Sequence, residues 1–264
     1  MPLHAVSAYT AAMIPLELPG VLIDALLPPL LRRCDMDAGR NGDRQPVLLP
    51  DTHPVLLPLA HNYQTRLAGF PIFDMNYLEF SVVIPWVRRL DDPQPLTYIP
   101  ILYLNAWMPI LVGRLFYGFP KRHANISVRE GHYRATLPAG TPLLSADLTA
   151  TGTQHPPSTY PHFAPIRTML GFPIMTQLFG CITVCSTMRW ELETVATVQP
   201  LHGTLELHET FLPGRPHLEF VVSGIDEAPM GAFELRTQWT LSMPHACQRG
   251  RLEAITRPVP SVRS

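Results

Sequence analysis

The sequence predicts a mainly β fold (β-rich α+β), with antiparallel strands in a closed or nearly closed barrel or cone and a few short helices. Thirty prolines and sixteen glycines are spread along the 264 residues, and they divide the chain into short segments joined by turns. Several of these segments alternate between apolar and polar residues, as strands do. Hydrophobic residues make up 46% of the chain and charged residues 16%, which is enough apolar mass for a substantial core.

The clearest strand is predicted over residues 76–86, NYLEFSVVIPW, where alternate positions fall on two different faces. The apolar face carries Leu78, Phe80, Val82, Ile84 and Trp86. The opposite, mostly polar face carries Tyr77, Glu79, Ser81 and Val83. This period of two predicts a strand with one face in the core.

Five further segments are predicted as strands. Residues 97–105 are apolar enough to be buried on both faces, whereas residues 190–198, 203–211 and 217–224 form an antiparallel run. Residues 232–243 alternate again, with an apolar series of Phe233, Leu235, Thr237, Trp239 and Leu241.

Helix signals are fewer than strand signals. Residues 21–33 predict a short amphipathic helix that Pro28-Pro29 interrupts, and Asn105 is expected to cap a helix that runs to about Leu115. Residues 165–179 are compatible with either a helix or a strand.

The chain is expected to form a single domain over residues 1–264. Residues 35–46 and 151–162 are polar and rich in turn formers, so both are predicted as exposed loops. The segment 249–264 is predicted to be a flexible tail.

Charge excludes two classes of partner. Twenty Lys and Arg against twenty-one Asp and Glu give a net charge of −1, so no electrostatic attraction to nucleic acid or to an anionic membrane is expected. The N-terminus lacks the charged and apolar regions of a signal peptide, and its prolines would break a membrane-spanning helix. We therefore expect a cytoplasmic protein.

The cysteines are expected to be buried thiols in a reducing compartment. Cys181 and Cys185 are spaced as CxxxC, but no second Cys or His pair completes a zinc site at the usual spacing; the other two are Cys34 and Cys247. No metal and no organic cofactor is implied.

Lys121 is the one lysine in the chain, beside nineteen arginines. It follows an apolar stretch and the turn-forming Gly118-Phe119-Pro120, and Arg122 comes next. Apolar surroundings and a neighbouring cation both favour a neutral amine. Such an amine can attack a ketone and form a Schiff base, which an arginine cannot do because it stays protonated. A lysine left by chance in an Arg-rich surface is the alternative.

The stretch GRLFYGFPKRHANI, residues 113–126, resembles the signature of the acetoacetate decarboxylase superfamily, and residues 76–86 resemble the family's Tyr-x-Glu strand. The resemblance covers roughly residues 70–127, and residues 218–245 more weakly; residues 1–60 match poorly. It implies an acetoacetate decarboxylase-like fold. It also implies that Lys121 is the Schiff-base lysine, that Glu79 faces the site, and that Arg122 takes the place of a second family lysine.

The resemblance further implies that Tyr77, Phe119 and Arg114 contact the substrate, with Arg114 also supporting the turn. His123 is compatible with a proton relay or with an ordinary surface residue. Family members commonly form homo-oligomers, so a homo-oligomer is expected.

The sequence departs from the family pattern at three places. Leu115 stands where many members carry Glu, and Gln64 stands at the position expected for a second acidic residue. The family's N-terminal arginine has no assigned counterpart, and Arg66 is a guess from its expected location.

Three functions stay open at this stage. The first is a cofactor-free lyase that decarboxylates a β-keto acid, acetoacetate-like, through an imine on Lys121, with Glu79 positioning the substrate and carrying protons. The second is a Schiff-base aldolase, dehydratase or hydratase acting on a larger oxo acid. The third is a non-catalytic barrel that binds a small ligand.

Overall fold

The computed structural model describes residues 4–34, 51–67, 74–211 and 217–247. These residues form three α-helices: α1 (Gly20–Asp24), α2 (Trp107–Tyr117) and α3 (Phe163–Gly171). A short 3₁₀ helix at Pro157–Thr159 precedes α3.

Most of the described chain lies in strands. The strands are β1 (His4–Pro19), β2 (Leu31–Arg33), β3 (Thr52–Leu67), β4 (Met75–Arg89), β5 (Asp92–Leu104), β6 (Lys121–His123), β7 (Asn125–Arg129), β8 (His132–Thr136), β9 (Pro142–Ala150), β10 (Ile174–Leu178), β11 (Ile182–Ser186), β12 (Met188–Trp190), β13 (Thr197–Leu207), β14 (Leu218–Val222) and β15 (Phe233–Ser242). The prediction of a mainly β fold with a few short helices is confirmed.

The strands form one large sheet in the order β11-β10-β5-β4-β3-β1-β15-β13-β9-β8-β7, with β2, β6, β12 and β14 pairing at its sides. The prediction of an antiparallel sheet needs a correction, because β5 pairs in parallel with both β6 and β10. Within the described residues this pairing runs from β11 to β7 without returning, so a closed or nearly closed barrel stays a prediction.

Two hydrophobic clusters occupy the two faces of the long strands. In β4, Phe80, Val82 and Ile84 belong to one cluster, and Tyr77 belongs to the other. β1 and β3 divide their residues between the same clusters, since successive side chains of a strand point to opposite faces. The centre of the sheet is therefore buried on both sides.

The predicted assignment of β4 side chains to two faces is confirmed as far as Ile84 and is wrong for Trp86. Trp86 was expected beside Ile84, but it packs in the Tyr77 cluster and meets the Phe172 ring at 5.5 Å between centroids. The pairing with β5 is irregular between Ile84 and Val87, and Trp86 has φ +48°. This irregularity turns the indole to the other face.

Two helix predictions need correction at their boundaries. The helix expected over residues 21–33 is only the five residues of α1, and the chain then enters β2. Asn105 does not cap α2, because Ala106 precedes the helix and the Asn105 side chain instead accepts a hydrogen bond of 2.8 Å from the Leu78 backbone N–H. Pro109 lies in the first turn of α2, where its missing N–H is tolerated.

The later segments divide differently from the prediction. Residues 165–179 contain both the end of α3 and strand β10. The strands predicted at 190–198 and 203–211 are wrong in their limits, because one strand, β13, spans 197–207 and turns flank it. The alternation predicted for 232–243 is confirmed, since the apolar series of β15 is buried.

The cysteine prediction is wrong for three of the four residues. Cys185 and Cys247 form a disulfide, and Cys181 is an exposed free thiol on the turn before β11. Cys34 is half-buried. The disulfide ties the segment after β15 to β11.

The loop predicted at 151–162 is mostly exposed and carries the 3₁₀ helix. The loop predicted at 35–46 and the tail at 249–264 lie outside the described residues. In the described chain, no helix is both long and apolar enough to cross a membrane.

Gly118 ends α2 in the left-handed conformation, with φ +70°. A Cβ built there would lie 2.6 Å from the carbonyl carbon and oxygen of Gln177 in β10.

We expect Gly118→Ala to lower the free energy of unfolding for two reasons. The unfavourable φ costs about 1–2 kcal/mol, and the added Cβ clashes with Gln177. Gly140→Ala is the matched control, because Gly140 has φ +89° and no atom within 4 Å of its Cβ position. Denaturant unfolding should show a larger loss at 118 than at 140; equal losses would contradict the close approach.

His53 of β3 is fully buried, and its Nε2–H donates to the Pro85 carbonyl oxygen over 2.8 Å. Burial lowers the pKa of His53 to about 4. The hydrogen bond to Pro85 and the charge of Asp24 raise this pKa by smaller amounts, whereas the charge of Arg33 lowers it further. As the pH falls from about 6.5 to about 4, the unfolded chain gains a proton that the folded chain does not, so folding becomes less favourable.

We therefore expect acid to destabilise the protein through His53. Between about pH 7 and pH 5, urea unfolding of the wild type should lose about 2 kcal/mol more than that of His53→Gln. The Gln side chain retains a donor for Pro85 and does not titrate. Parallel pH profiles for the two proteins would contradict this assignment.

Candidate active site

The turn between α2 and β6 presents the Lys121 side chain, and its neighbours hold it on several sides. The Thr176 hydroxyl donates to the Tyr117 carbonyl over 2.6 Å, and the Phe119 N–H donates to the Gly113 carbonyl over 3.1 Å. β6 pairs in parallel with β5, which places Lys121 beside Leu102. The turn is therefore tied to α2, β5 and β10 together.

The Lys121 side chain is buried, with 7% of the residue exposed. Its Nζ lies 3.3 Å from the Glu79 Oε2 in an ion pair that is itself mostly buried. The rings of Tyr77 and Phe119 flank the amine, with centroids 5.5 Å and 5.8 Å from Nζ. The lysine and the glutamate that the sequence singled out thus meet, and two of the three predicted substrate contacts surround them.

Gly113 of α2 lets the lysine pass beneath the helix. A Cβ built at this position would lie 2.5 Å from the Cε and 2.6 Å from the Cδ of Lys121. Any side chain at 113 would therefore displace the lysine stem. This close approach gives a physical reason for the Gly of the Gly-Arg pair.

A cavity of about 110 Å³ extends from the lysine along β4. Its floor on β4 is the face predicted to be mostly polar: Tyr77, Glu79, Ser81 and Val83. Helix α3 and the residues that follow it contribute apolar side chains on another side, among them Met169, Phe172 and Ile174. Glu79 and Lys121 are the charged residues of this lining.

A second cavity of about 50 Å³ adjoins the other side of Lys121. Tyr77, Phe119 and Lys121 line both cavities, whereas Arg66 lines only the smaller one and Glu79 only the larger one. Arg66 is an exposed residue near the end of β3. The lysine therefore borders both an apolar cavity that contains a carboxylate and a smaller cavity whose lining includes Arg66.

Two tyrosines of the lining stay protonated at ordinary pH. Burial, and then the charge of Glu79, raises the pKa of Tyr9 and of Tyr77 well above the usual value for tyrosine. Neutral phenols keep their hydroxyl protons, and the Tyr9 hydroxyl donates its proton to the Met13 Sδ over 3.7 Å.

Asn62 adds a polar group that lacks a protein partner. The Trp239 indole N–H donates to the Asn62 Oδ1 over 3.1 Å. Because an indole N–H can only donate, this bond fixes the amide oxygen toward Trp239. The Asn62 Nδ2 is buried with no hydrogen-bond partner, and the residue lines the larger cavity beside Tyr77, with which it pairs.

The structure places the other predicted site residues away from the cavities. Arg122 is exposed, on the opposite side of β6 from Lys121. Burial raises the pKa of Tyr103, and the nearby charge of Arg122 lowers that pKa by a smaller amount. Arg114 is also exposed, and its Nε donates to the Lys121 carbonyl over 2.8 Å. Arg114 thus supports the turn, as predicted. It lines neither cavity, so its contact with the substrate stays a prediction.

His123, Gln64 and Leu115 also lie outside the two linings. The His123 ring stacks on Trp107 at 4.5 Å between centroids. Gln64 is exposed on an irregularity of β3 with φ +51°, and Leu115 is exposed on α2. Among the described residues, no group of three or more His, Cys, Asp or Glu side chains could hold a metal ion.

The acetoacetate decarboxylase family model matches residues 46–233, which is most of the chain. The chain belongs to the acetoacetate decarboxylase family. The resemblance stated from residues 113–126 and 76–86 is therefore confirmed, and the match extends well beyond those segments on both sides. Comparison with curated proteins finds no match.

Solved structures of this family share the fold. Acetoacetate decarboxylase from Legionella pneumophila aligns with a TM-score of 0.57 at 16% identity, over 94% of this chain and 88% of that one. MppR, an enduracididine biosynthesis enzyme solved with pyruvate, aligns with a TM-score of 0.54 at 13% identity, over 92% and 89%. At these identities the similarity shows the fold and does not define the substrate.

Sequence reasoning missed Asn62, Thr97 and the role of Gly113. Asn62 and Thr97 lie in strands otherwise dominated by apolar residues, and each has a buried polar side-chain atom without a partner in the larger cavity's lining. A polar residue inside an apolar strand was the available signal. Gly113 was visible as a glycine in the middle of a helix, where glycine is unfavourable.

We expect Gly113→Ala to disable the site without unfolding the protein. Alanine favours a helix over glycine by about 1 kcal/mol, which offsets part of the clash, but the lysine stem must move away from Glu79. Chemical labelling or imine trapping at Lys121 should fall at least about tenfold, given the sensitivity of catalysis to small misplacements. Gly171→Ala, in α3 with no atom within 4 Å of its Cβ position, is the matched control. Unchanged trapping in Gly113→Ala would refute the close packing.

Proposed function

We propose that this family member is a cofactor-free Schiff-base enzyme that decarboxylates a β-keto acid on Lys121. The observation that carries the proposal is the position of the Lys121 Nζ, which is buried, 3.3 Å from a carboxylate and between two cavities. A buried amine beside a carboxylate has both a partner for its proton and an apolar space for a ketone.

The reaction begins when Glu79 accepts a proton from the lysine ammonium. The neutral Nζ attacks the ketone carbon, and the resulting carbinolamine loses its hydroxyl group as water, with the proton that Glu79 had accepted, to give a protonated imine. The C–C bond to the carboxylate then breaks, carbon dioxide leaves, and the bonding electrons move through the imine to give an enamine. Glu79 takes a second proton from solvent water and delivers it to the enamine carbon, and water hydrolyses the resulting protonated imine to release the ketone and the Lys121 ammonium.

The two cavities give the substrate a direction. A β-keto acid has its carbonyl carbon between a CH₂–carboxylate arm and a second substituent. The carboxylate suits the smaller cavity, whose lining includes Arg66, better than the larger cavity, where Glu79 is negative. With the carbonyl at Lys121, the second substituent enters the larger cavity.

A Schiff-base aldolase, dehydratase or hydratase is the second candidate. It is favoured by the lining of the larger cavity, because Glu79 is the one carboxylate among the described lining residues and Gln64 takes no part. One carboxylate is sufficient for proton transfer to and from carbon, and the cavity has room for a second reactant. Release of carbon dioxide separates the two candidates, and a protein that binds oxo acids without forming an adduct would be the non-catalytic barrel.

The outer face of α2 supports the expected homo-oligomer. Trp107, Leu111 and Leu115 are about half exposed or more, and they lie on the helix that covers the lysine. We propose that a second copy covers this face, and sedimentation of Leu111→Glu against the wild type tests it; an unchanged mass would reject this face as the contact.

Borohydride trapping tests the Schiff base directly. We expect incubation with acetoacetate or a larger 3-oxo acid, followed by reduction, to add one substituent to Lys121, as shown by intact mass and a peptide map. The mass of the adduct reports whether carbon dioxide left before reduction. Lys121→Arg is the matched control because it retains a cation beside Glu79 and cannot form an imine. No adduct from the folded wild type with any oxo acid would reject both enzyme candidates.

Substitution of Arg66 tests the direction of the substrate. We expect Arg66→Gln to raise KM for a 3-oxo acid by roughly tenfold, the size of one charge-assisted hydrogen bond, while trapping of a simple ketone stays unchanged. Arg129→Gln, an exposed arginine of β7, controls for net charge. Equal effects on oxo acid and ketone would place the carboxylate elsewhere.

A further inference from the structure

We infer that the substrate carries a long apolar chain or an aryl-alkyl group on its carbonyl carbon, rather than the methyl group of acetoacetate. The inference rests on the proposed function, because it needs the carbonyl at Lys121. It concerns the part of the larger cavity that the reaction itself does not use.

The first argument is the length of the cavity. Its lining on β4 runs from Tyr77 to Val83, positions six residues apart that are separated by roughly 20 Å in an extended strand. The neighbouring β5 contributes Leu102 near the lysine and Thr97 farther from it. The amine lies at the Tyr77 and Glu79 end, so most of this length extends away from the reacting carbon. A four-carbon acid would occupy only the first part.

The second argument is the chemistry of the distant walls. Among the described residues, Glu79 and Lys121 are the charged members of the lining, and its distal part includes Val83, Ile99, Phe172 and Ile174. Burial of apolar surface is the main favourable contribution such walls can make. A charged substituent would lose its water there without gaining an oppositely charged partner, since the Thr97 hydroxyl is a neutral group.

The third argument is the position of the charges around the lysine. The smaller cavity, to which the proposed function assigns the carboxylate, has Arg66 in its lining and measures about 50 Å³ against about 110 Å³ for the larger one. The two arms of a β-keto acid therefore have different places, and the larger apolar place remains for the arm that is not the carboxylate.

The experiment uses methyl ketones, which carry no carboxylate and do not decompose. Acetone, 2-pentanone, 2-heptanone and 2-nonanone are each titrated against the full-length protein and trapped with borohydride, and the half-saturating concentration is read from the adduct on Lys121. Each methylene buried in an apolar site strengthens binding by roughly three- to fourfold. We expect half-saturation to fall by about tenfold for each step of two carbons until the cavity is full.

Val83→Phe supplies the specific variant. Val83 is only half-buried and faces the distal part of the cavity, so a larger ring there fills space that the chain would use. We expect Val83→Phe to lose the advantage that 2-heptanone and 2-nonanone have over acetone, measured as the ratio of their half-saturating concentrations. Val128→Phe, at an exposed valine of β7, is the matched control and should retain that advantage.

The outcomes distinguish failure of the long-chain inference from failure of the proposed function. Trapped acetone with flat or falling trapping along the series would overturn the long-chain inference and leave the Schiff base intact. Lost acetone trapping in Val83→Phe would mean that the variant disturbs the lysine itself, and the unmodified ketone series would then decide. If neither ketones nor oxo acids are trapped, the proposed function fails and this inference fails with it.

Discussion

The buried ion pair between Lys121 and Glu79 is the constraint on which the rest of the site depends. Removing two charges from water costs several kcal/mol per ion in proteins, and only a close partner offsets that cost. At 3.3 Å each group provides this partner for the other. β4 must therefore hold Glu79 toward the same cavity into which the turn after α2 directs Lys121.

The sheet meets this constraint through alternation. β4 has one face in each hydrophobic cluster, so the residues on the Glu79 face can line a cavity while Phe80 and its neighbours hold the strand from behind. A strand with a single buried face would leave the carboxylate in water. The two-sided burial of the sheet is what makes a dry, polar-lined cavity possible next to β4.

The parts of this arrangement that depend on local patterns could be predicted from the sequence. The alternation of residues 76–86 and the turn before Lys121 are local, and both the two faces of β4 and the Lys121–Glu79 encounter follow from them together with the family resemblance. Asn105 shows the limit, because a residue with a good capping side chain instead bonds to Leu78, twenty-seven residues away. Long-range competition of this kind leaves no local pattern.

The same limit applies to Trp86, Arg122 and the cysteines. Trp86 changes face because the pairing with β5 slips, and register is a property of two strands rather than one. Arg122 follows the lysine in sequence but, by strand alternation, points away from it. Cys185 and Cys247 are brought together by the sheet from a separation of 62 residues.

Because Lys121 passes beneath Gly113, its side chain loses conformational entropy before a substrate binds. A free lysine side chain has many rotamers, and ordering one costs up to about 2 kcal/mol. Here the helix backbone on one side and the two aromatic rings on the other restrict the stem before any ketone arrives. That entropy is lost once, during folding, so the amine is preorganised and each substrate molecule meets a nucleophile that is already aligned.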